Sequence, residues 1–218
     1  MKPDFSNRET DDDILKHGAQ LSAGLCVVLS HSVEDAWHFD EALRNAKFGI
    51  SEVAPSGESL PVYFRDILEE SLSRLADDER LSGLLKPLSA LLPFLRWSSR
   101  KAGAGEDDRF VTRHLHGLVT GSNATLTCSS LTLGIAVLQP DCVYPIHQHP
   151  PAEFYLVLSD GEWYREDRGW WRPGIGGVVL NPPRCLHAMR SGESPLVAVW
   201  GLLTSHESGP DANLNFRY

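Results

Sequence analysis

The chain has 218 residues, enough for one large domain or two small ones, and 42% of them are apolar, so a sizeable core can form. Its formal net charge of −9 argues against nucleic acids and anionic membranes as main partners. No apolar run approaches the roughly 20 residues that span a bilayer, and the polar, acidic start does not resemble a signal peptide. Four cysteines without CxxC spacing are expected to be free thiols. Together these features predict a cytoplasmic protein.

The first half of the sequence is predicted to be helical. Apolar spacing and capping residues favour helices at 15–29, at 32–45 with Ser32 as N-cap, at 61–75, and at 79–97, where Pro87 and Pro93 should kink or divide the helix. The last segment is rich in leucine and must be buried, either against the rest of the chain or in a homodimer. Residues 98–108, rich in Gly, Ser and charge, are expected to form a flexible connection between helices and strands.

Beyond residue 108 the apolar period changes from 3.6 to 2, which predicts strands. They are expected at 110–119, 124–138, 154–158, 163–166, 178–180, 187–190 and 196–203. Many short strands separated by Gly- and Pro-containing turns indicate a sandwich or a barrel. We therefore expect an α+β, mainly β chain with an N-terminal helical region, 1–105, and a β barrel, 106–218.

The clearest chemical signal is the pair His147 and His149, followed by Glu153 and, after a Gly- and Pro-rich stretch, by His187. Residues two apart on a strand point to the same face, so the two histidines of the pair can act together. Three imidazoles and a carboxylate suit a borderline divalent transition metal. The spacing predicts one metal site built from these four residues.

A second histidine pair, His114 and His116, has the same spacing but no carboxylate close behind it. Chance pairs are expected in a chain with nine histidines. We therefore predict that this second pair binds no catalytic metal.

The region around the first pair resembles the two cupin motifs and, more narrowly, the cupin-type dimethylsulfoniopropionate lyases. The resemblance covers roughly residues 125–203. The matching residues are His147, His149, Pro151, Glu153, Tyr155, Val157-Leu158-Ser159, Trp163, Pro173-Gly174, Pro182-Pro183 and His187-Ala188-Met189. It implies a single cupin barrel, which is a double-stranded β-helix or jelly roll. Arg184 departs from the pattern, because it stands where the second cupin motif usually has Gly.

The resemblance also implies an activity: cleavage of dimethylsulfoniopropionate to acrylate and dimethyl sulfide by β-elimination at one divalent metal (Fe, Mn, Zn, Co or Ni). Tyr155 shares the strand face of ligand Glu153, and the resemblance makes it the base that removes the proton next to the metal-bound carboxylate. Its position alone is equally consistent with a barrel-filling aromatic. Tyr144 matches a family position that lines the pocket, so it either places the substrate or serves as the alternative base.

A sulfonium is a soft cation, which aromatic faces attract. The candidates for such a pocket wall are Trp200, Trp163, Phe154 and Tyr164. Trp200 is favoured, because it shares a strand face with Ala198 and Leu202.

Two alternatives stay open for a small-molecule carboxylate site of this kind. A cupin sugar isomerase or dioxygenase could use the same ligands, but would need polar or basic pocket residues, which the predicted strands rarely offer. A non-enzymatic cupin could sense or store a small ligand, although a tyrosine beside the metal argues against it.

Overall fold

The computed structural model describes residues 10–31, 37–52 and 57–204. Within them the helices come first along the chain, as expected. Their bounds are α1 Asp11–Ser30, α2 Trp37–Arg44, α3 Val62–Arg74 and α4 Ser82–Leu91, with short 3₁₀ turns at Leu92–Phe94 and Asp108–Phe110. None of these helices is long and apolar enough to cross a membrane. The predicted N-cap Ser32 lies outside the described residues.

Helix α1 begins four residues before its predicted start, and a local interaction explains the difference. The Thr10 hydroxyl accepts a hydrogen bond from the Asp13 backbone amide at 3.2 Å, while the Asp13 carboxylate accepts one from the Thr10 amide at 3.1 Å. This reciprocal capping box satisfies two backbone donors at the N-terminal end of the helix. The acidic residues in the first turn also interact favourably with the positive end of the helix dipole. The run Asp11-Asp12-Asp13 is therefore the first turn of a helix.

In the described parts of the chain, twelve strands follow or interleave with these helices. Their bounds are β1 Phe48–Ile50, β2 Arg96–Ser98, β3 His114–Leu118, β4 Leu126–Cys128, β5 Leu131–Leu138, β6 Val143–His147, β7 Glu153–Val157, β8 Glu162–Arg165, β9 Gly169–Trp171, β10 Val178–Asn181, β11 His187–Arg190 and β12 Leu196–Leu203. All pairings between them are antiparallel. The main sheet has the order β10-β7-β12-β5-β3-β2, and a second sheet has the order β6-β11-β8-β9. These two sheets form the cupin barrel, so the predicted fold class is confirmed.

Alternation along the strands divides the apolar side chains into two cores. One face of the main sheet packs with the helices and includes Leu133, Ile135, Phe154 and Leu156. The opposite face lines the barrel interior, where Tyr155, Trp200 and other large side chains meet those of the second sheet. A helical layer therefore covers the outside of the sheet whose inner face carries the aromatic residues of interest.

The connection at 98–108 differs from the expectation. Strand β2 pairs with β3 in the main sheet, in the register Ser98 to His116, so the segment joins two neighbouring strands rather than helices to barrel. The short strand β2 lies at the end of the leucine-rich segment, just after the helical stretch ends near Pro93. The apolar pattern therefore did not show it as a separate strand. The domain boundary at 105/106 stays a prediction.

Candidate metal centre

The predicted ligands come from three strands and from the turn between two of them. His147 ends β6, His149 lies in the turn that follows, and Glu153 begins β7. His187 begins β11 and pairs directly with His147 across the second sheet. The turn rather than strand alternation places His149, because the strand ends at His147 and two prolines follow.

The structure brings all four predicted residues together. One ring nitrogen from each of the three histidines lies within 4.8 Å of the others, a spacing that can hold one metal ion. The Oε2 atom of Glu153 lies 3.3 Å from His149 Nε2 and 3.0 Å from His187 Nε2. Glu153 and His187 are almost completely buried, with 4% and 2% of their surfaces exposed.

The backbone fixes which nitrogen of each histidine faces the others. The Nδ1 atom of His147 lies 2.9 Å from the Pro145 carbonyl, that of His149 lies 3.0 Å from the Pro151 carbonyl, and that of His187 lies 2.8 Å from the Cys185 carbonyl. A carbonyl oxygen can only accept, so each Nδ1 carries the hydrogen. In the neutral imidazoles the Nε2 lone pairs are then directed toward the shared centre, which is the arrangement that second-shell contacts give to metal-binding histidines.

This donor set fits a divalent cation. The Nε2 atoms of His149 and His187 are buried without a hydrogen-bond partner, although both face the Glu153 carboxylate. Nitrogen lone pairs facing a carboxylate oxygen repel one another unless a proton or a metal ion lies between them. Burial lowers the pKa of His147 to about 3, which keeps that imidazole neutral and able to coordinate. Three neutral imidazoles and one carboxylate are the ligands that a borderline transition metal prefers.

Glu153 remains ionised despite its burial. Burial raises the pKa of this carboxyl, but the close approach of the His149 and His187 imidazoles outweighs it and holds the pKa well below its usual range. The same interaction raises the pKa of His149 against the lowering effect of burial. Asn181 Nδ2 also donates to Glu153 Oε2 at 3.0 Å. Asn181 was not among the predicted site residues, and it reaches Glu153 because β10 pairs with β7 in that register.

Arg184 shows why its position usually holds glycine. Its φ angle of +61° lies in the left-handed region, which residues other than glycine rarely adopt. In this conformation the Arg184 amide donates to the His149 carbonyl at 2.9 Å. The turn before His187 is thereby tied to the turn that carries His149, which links the two cupin motifs at the metal centre.

Both predicted tyrosines lie inside the barrel beside the ligands. Tyr155 is 3% exposed and Tyr144 2% exposed. Burial raises the pKa of Tyr155 well above 10, and the charge of Glu153 adds to this effect. Burial also raises the pKa of Tyr144, but there the Arg100 guanidinium opposes the shift. The Tyr144 ring lies 4.9 Å from the His147 ring, measured between centroids.

Two of the four proposed wall aromatics belong to the interior and two do not. Trp200 pairs with Tyr155 across β12 and β7, and Trp163 lies 6.2 Å from Tyr155 between ring centroids. Phe154 points to the other face of the main sheet, where it contacts Phe39 of α2 at 5.1 Å between ring centroids. Tyr164 instead contacts Trp170 of the neighbouring strand, with ring centroids 5.5 Å apart. Phe154 and Tyr164 were therefore wrong predictions, and strand alternation relative to Glu153 and Trp163 explains both.

The second histidine pair lies in the same interior, on β3. His114 is fully buried, its Nδ1 lies 2.7 Å from the Phe110 carbonyl, and its Nε2 accepts from the Arg100 amide at 2.9 Å. His116 differs, because neither of its buried ring nitrogens has a hydrogen-bond partner among the described residues. The sequence spacing alone did not indicate that these two histidines would differ in their hydrogen bonds.

An antiparallel barrel that brings together three histidines and one glutamate from its two motifs defines the chain as a cupin with a candidate metal centre. A sequence profile of the dimethylsulfoniopropionate lyases matches residues 37–198. The chain belongs to this family. The family predicted from the motif residues is thus confirmed, and the match extends into the helical region that the motifs do not cover.

Individual relatives agree with this assignment. The dimethylsulfoniopropionate lyase DddQ of Ruegeria pomeroyi is 29% identical over 106 residues, a match that covers 48% of this chain and spans only about half (51%) of the relative. The crystal structure of DddQ from this species aligns with a TM-score of 0.63 at 18% identity, covering 92% of this chain and 95% of that one. A chain from the structures of the lyases RdDddP and RnDddQII aligns with a TM-score of 0.61 at 17% identity, covering 87% and 93%. At these identities the structural likeness establishes the fold.

Proposed function

We propose that this chain cleaves dimethylsulfoniopropionate to acrylate and dimethyl sulfide by β-elimination. The observation that carries the proposal is the convergence of His147, His149, His187 and Glu153 in the barrel interior, with the phenol of Tyr155 beside them, in a member of this lyase family. The chain would thus be a carbon–sulfur lyase acting on a small carboxylate.

The four ligands would hold one divalent transition metal, with Fe, Mn, Zn, Co and Ni all compatible with this donor set. When bound, such a cation supplies positive charge that binds the substrate carboxylate, acidifies the adjacent C–H group and favours the phenolate of a neighbouring tyrosine. The protein's own part is to fix the ligands through three backbone carbonyls and Asn181.

Tyr155 is the proposed base. It lies two residues beyond Glu153 on the same face of β7, with its ring inside the barrel. Its oxygen would take the proton from the carbon next to the carboxylate. The electrons of that C–H bond form the C=C bond of acrylate, and the C–S electron pair leaves with the sulfur. The products are acrylate, neutral dimethyl sulfide and one proton held by the tyrosine.

Tyr144 and the tryptophans have supporting roles in this proposal. Tyr144 lies between the His147 ring and the Arg100 guanidinium, whose central carbon is 5.3 Å from the ring centroid. It would place the substrate, and it is the alternative base. Trp200 and Trp163 would form the aromatic wall for the sulfonium group, because both lie in the interior core beside Tyr155.

We further propose that the protein acts in the cytoplasm, in line with its free cysteines Cys26, Cys128, Cys142 and Cys185, and that it forms a homodimer. The leucines of the leucine-rich segment are buried in the chain's own core, so such a dimer would use another surface. Analytical ultracentrifugation would test the dimer directly.

The test of the activity is a headspace assay for dimethyl sulfide with purified protein, repeated after chelation and after addition of each divalent metal. We expect release that chelation abolishes and one or more metals restore. The matched control is His149→Ala, which should lose bound metal and release together. Oxygen uptake in place of sulfide release would indicate a dioxygenase, and ligand binding without turnover would indicate a sensor.

A further inference from the structure

His116 is a partly buried polar residue of the barrel interior that the proposed reaction does not use. Both of its ring nitrogens are shielded from solvent, and neither has a partner among the described residues. Its neighbour His114 has both nitrogens satisfied by the backbone. An unpartnered buried imidazole is costly, so a residue of this kind calls for a ligand or a solvent molecule that completes its hydrogen bonds.

The register of the main sheet places His116 on the interior face. It pairs with Ala136, which pairs with Ala198, and this in turn pairs with Val157 of β7. These partners belong to the interior core. The two alanines are short, so the side chains beside His116 in this row are small.

Two aromatic rings flank the His116 imidazole. Its centroid lies 5.4 Å from that of Tyr144 and 5.9 Å from that of Trp200, both in edge-on arrangements. Tyr144 in turn contacts ligand His147, with centroids 4.9 Å apart. His116 therefore lies one aromatic ring away from the metal ligands and beside the proposed sulfonium wall.

The substrate has the length to reach it. Three single bonds separate the carboxylate carbon from the sulfur, which is on the order of 4 Å. With the carboxylate at the metal ligands and the chain directed past Tyr144, the sulfonium end would lie about one ring width away, toward His116 and Trp200.

This inference rests on the proposed function: we propose that His116 is a specificity-determining residue that recognises the onium end of the substrate. An unprotonated imidazole nitrogen presents a lone pair to the methyl C–H groups, which the positive sulfur polarises. The neighbouring Trp200 ring adds the attraction of an aromatic face for a cation.

The electrostatic surroundings agree with a neutral imidazole. Burial holds the pKa of His116 well below its usual 6.5, and His114 and His147 act in the same direction. The Arg100 guanidinium, whose charge acts on His116, is paired with Glu106 at 2.9 Å, so this charge is largely compensated. The region around His116 is therefore not one that would repel a cationic methyl group.

The test is calorimetric binding of two carboxylates of the same shape to the metal-loaded protein, 3-(trimethylammonio)propanoate and 4,4-dimethylpentanoate. They differ only in whether the branched end is a cation. We expect the native protein to bind the onium compound about tenfold more tightly, a preference of the size that onium recognition gives. His116→Leu should reduce this preference about fivefold or more and change binding of the neutral compound less than twofold. His116→Gln, which restores an acceptor, should recover part of the preference.

The matched control is His114→Gln, which should lower the thermal midpoint without changing the ratio of the two affinities. Retention of the onium preference in both His116 variants would overturn the inference, as would equal weakening of both compounds. If the native protein releases dimethyl sulfide yet shows no onium preference, this inference fails while the proposed function stands. If it neither binds these carboxylates nor releases dimethyl sulfide, the proposed function itself fails.

Discussion

The Asn181 amide and the Glu153 carboxylate meet across two paired strands, with Nδ2 donating to Oε2 at 3.0 Å. Both residues are almost fully buried, so this hydrogen bond forms away from water. The same Oε2 atom faces His149 and His187. Asn181 therefore determines how the only carboxylate of the predicted ligand set is oriented toward the imidazoles.

We expect Asn181→Ala to weaken metal binding about 10- to 100-fold, because removing an outer hydrogen-bond partner frees the ligand carboxylate to rotate. Metal titration monitored by calorimetry or by a competing chelator gives the affinity. The control is Asn123→Ala, an exposed position that should leave metal affinity unchanged. Unaltered metal affinity in the Asn181 variant would mean that Glu153 is held by other contacts or is not a ligand.

A second prediction concerns the space that Gly134 leaves for Trp200. A Cβ atom at Gly134 would lie 2.3 Å from Cζ2 of the indole and 2.9 Å from the Gly117 carbonyl oxygen. Gly134→Ala must therefore displace the indole and strain the sheet, and overpacking of this kind typically costs about 1–3 kcal/mol of stability. We expect a lower unfolding midpoint together with weaker substrate binding, measured by denaturant titration and by KM.

Gly83 provides the matched control for this substitution. No atom lies within 4 Å of a Cβ placed there, and the position is in helix α4. Gly83→Ala should be neutral or stabilising by up to about 1 kcal/mol, because alanine has the higher helix propensity. A Gly134→Ala protein as stable as Gly83→Ala would show that Trp200 can move without cost.

The metal ligands could be predicted from sequence because their placement is local. His147, His149 and Glu153 lie within seven residues. The Pro-rich turn that precedes His187 resembles the second cupin motif, which identified His187 as the fourth ligand. Asn181 and His116 could not be found in this way. Their roles depend on which strands pair and in which register, and the sequence carries no direct record of those long-range pairings.

Other differences between prediction and structure had a signal in the sequence. Phe154 is one residue from Glu153 and Tyr164 one residue from Trp163, so alternation already placed them on the opposite faces. The sequence contains no comparable pattern for strand β2. Its three residues form a strand because they pair with β3 and with Glu58, which are distant in the sequence. The helices were predicted from apolar spacing, but the start of α1 depended on a cap formed by Thr10 and Asp13.

A third prediction concerns the connection between β2 and β3, which is stabilised by an ion pair between two of its own residues. Arg100 Nη2 lies 3.0 Å from Glu106 Oε1, and Glu106 Oε2 accepts from the Gly103 amide at 2.7 Å. The Arg100 guanidinium chiefly lowers the pKa of Glu106, against a smaller effect of burial. A carboxyl whose pKa is lower when folded than the usual value of about 4.3 stabilises the folded arrangement above that value and loses this effect as the pH falls through the folded pKa.

Hydrogen-exchange protection of residues 99–107 should therefore be constant near neutral pH and fall from about pH 5 downward, once rates are corrected for intrinsic exchange. Glu106→Gln should lower the protection at neutral pH and remove most of its pH dependence. Glu79→Gln, an exposed position outside this connection, serves as the control. Protection that is independent of both pH and Glu106 would mean that apolar packing, and not the ion pair, holds this segment.

The last prediction separates the two tyrosines in the reaction. Tyr155→Phe removes only a hydroxyl from a ring packed beside Trp163, so the fold, the bound metal and much of the substrate affinity should remain. If Tyr155 is the base, kcat should fall about 10²–10⁴-fold with little change in KM, which is the usual contribution of a general base. Sulfide release under saturating substrate and metal analysis of the same preparation provide the measurement.

Tyr144→Phe is the paired variant, since Tyr144 is equally buried and lies next to His147. A residue that only positions substrate should raise KM and lower kcat less than Tyr155→Phe does. The reverse ranking, with Tyr144→Phe inactive and Tyr155→Phe active, would transfer the role of base to Tyr144, the tyrosine that Arg100 already approaches. Mild, equal effects from both variants would exclude either phenol as the base and leave the proton to be removed by another group in the barrel.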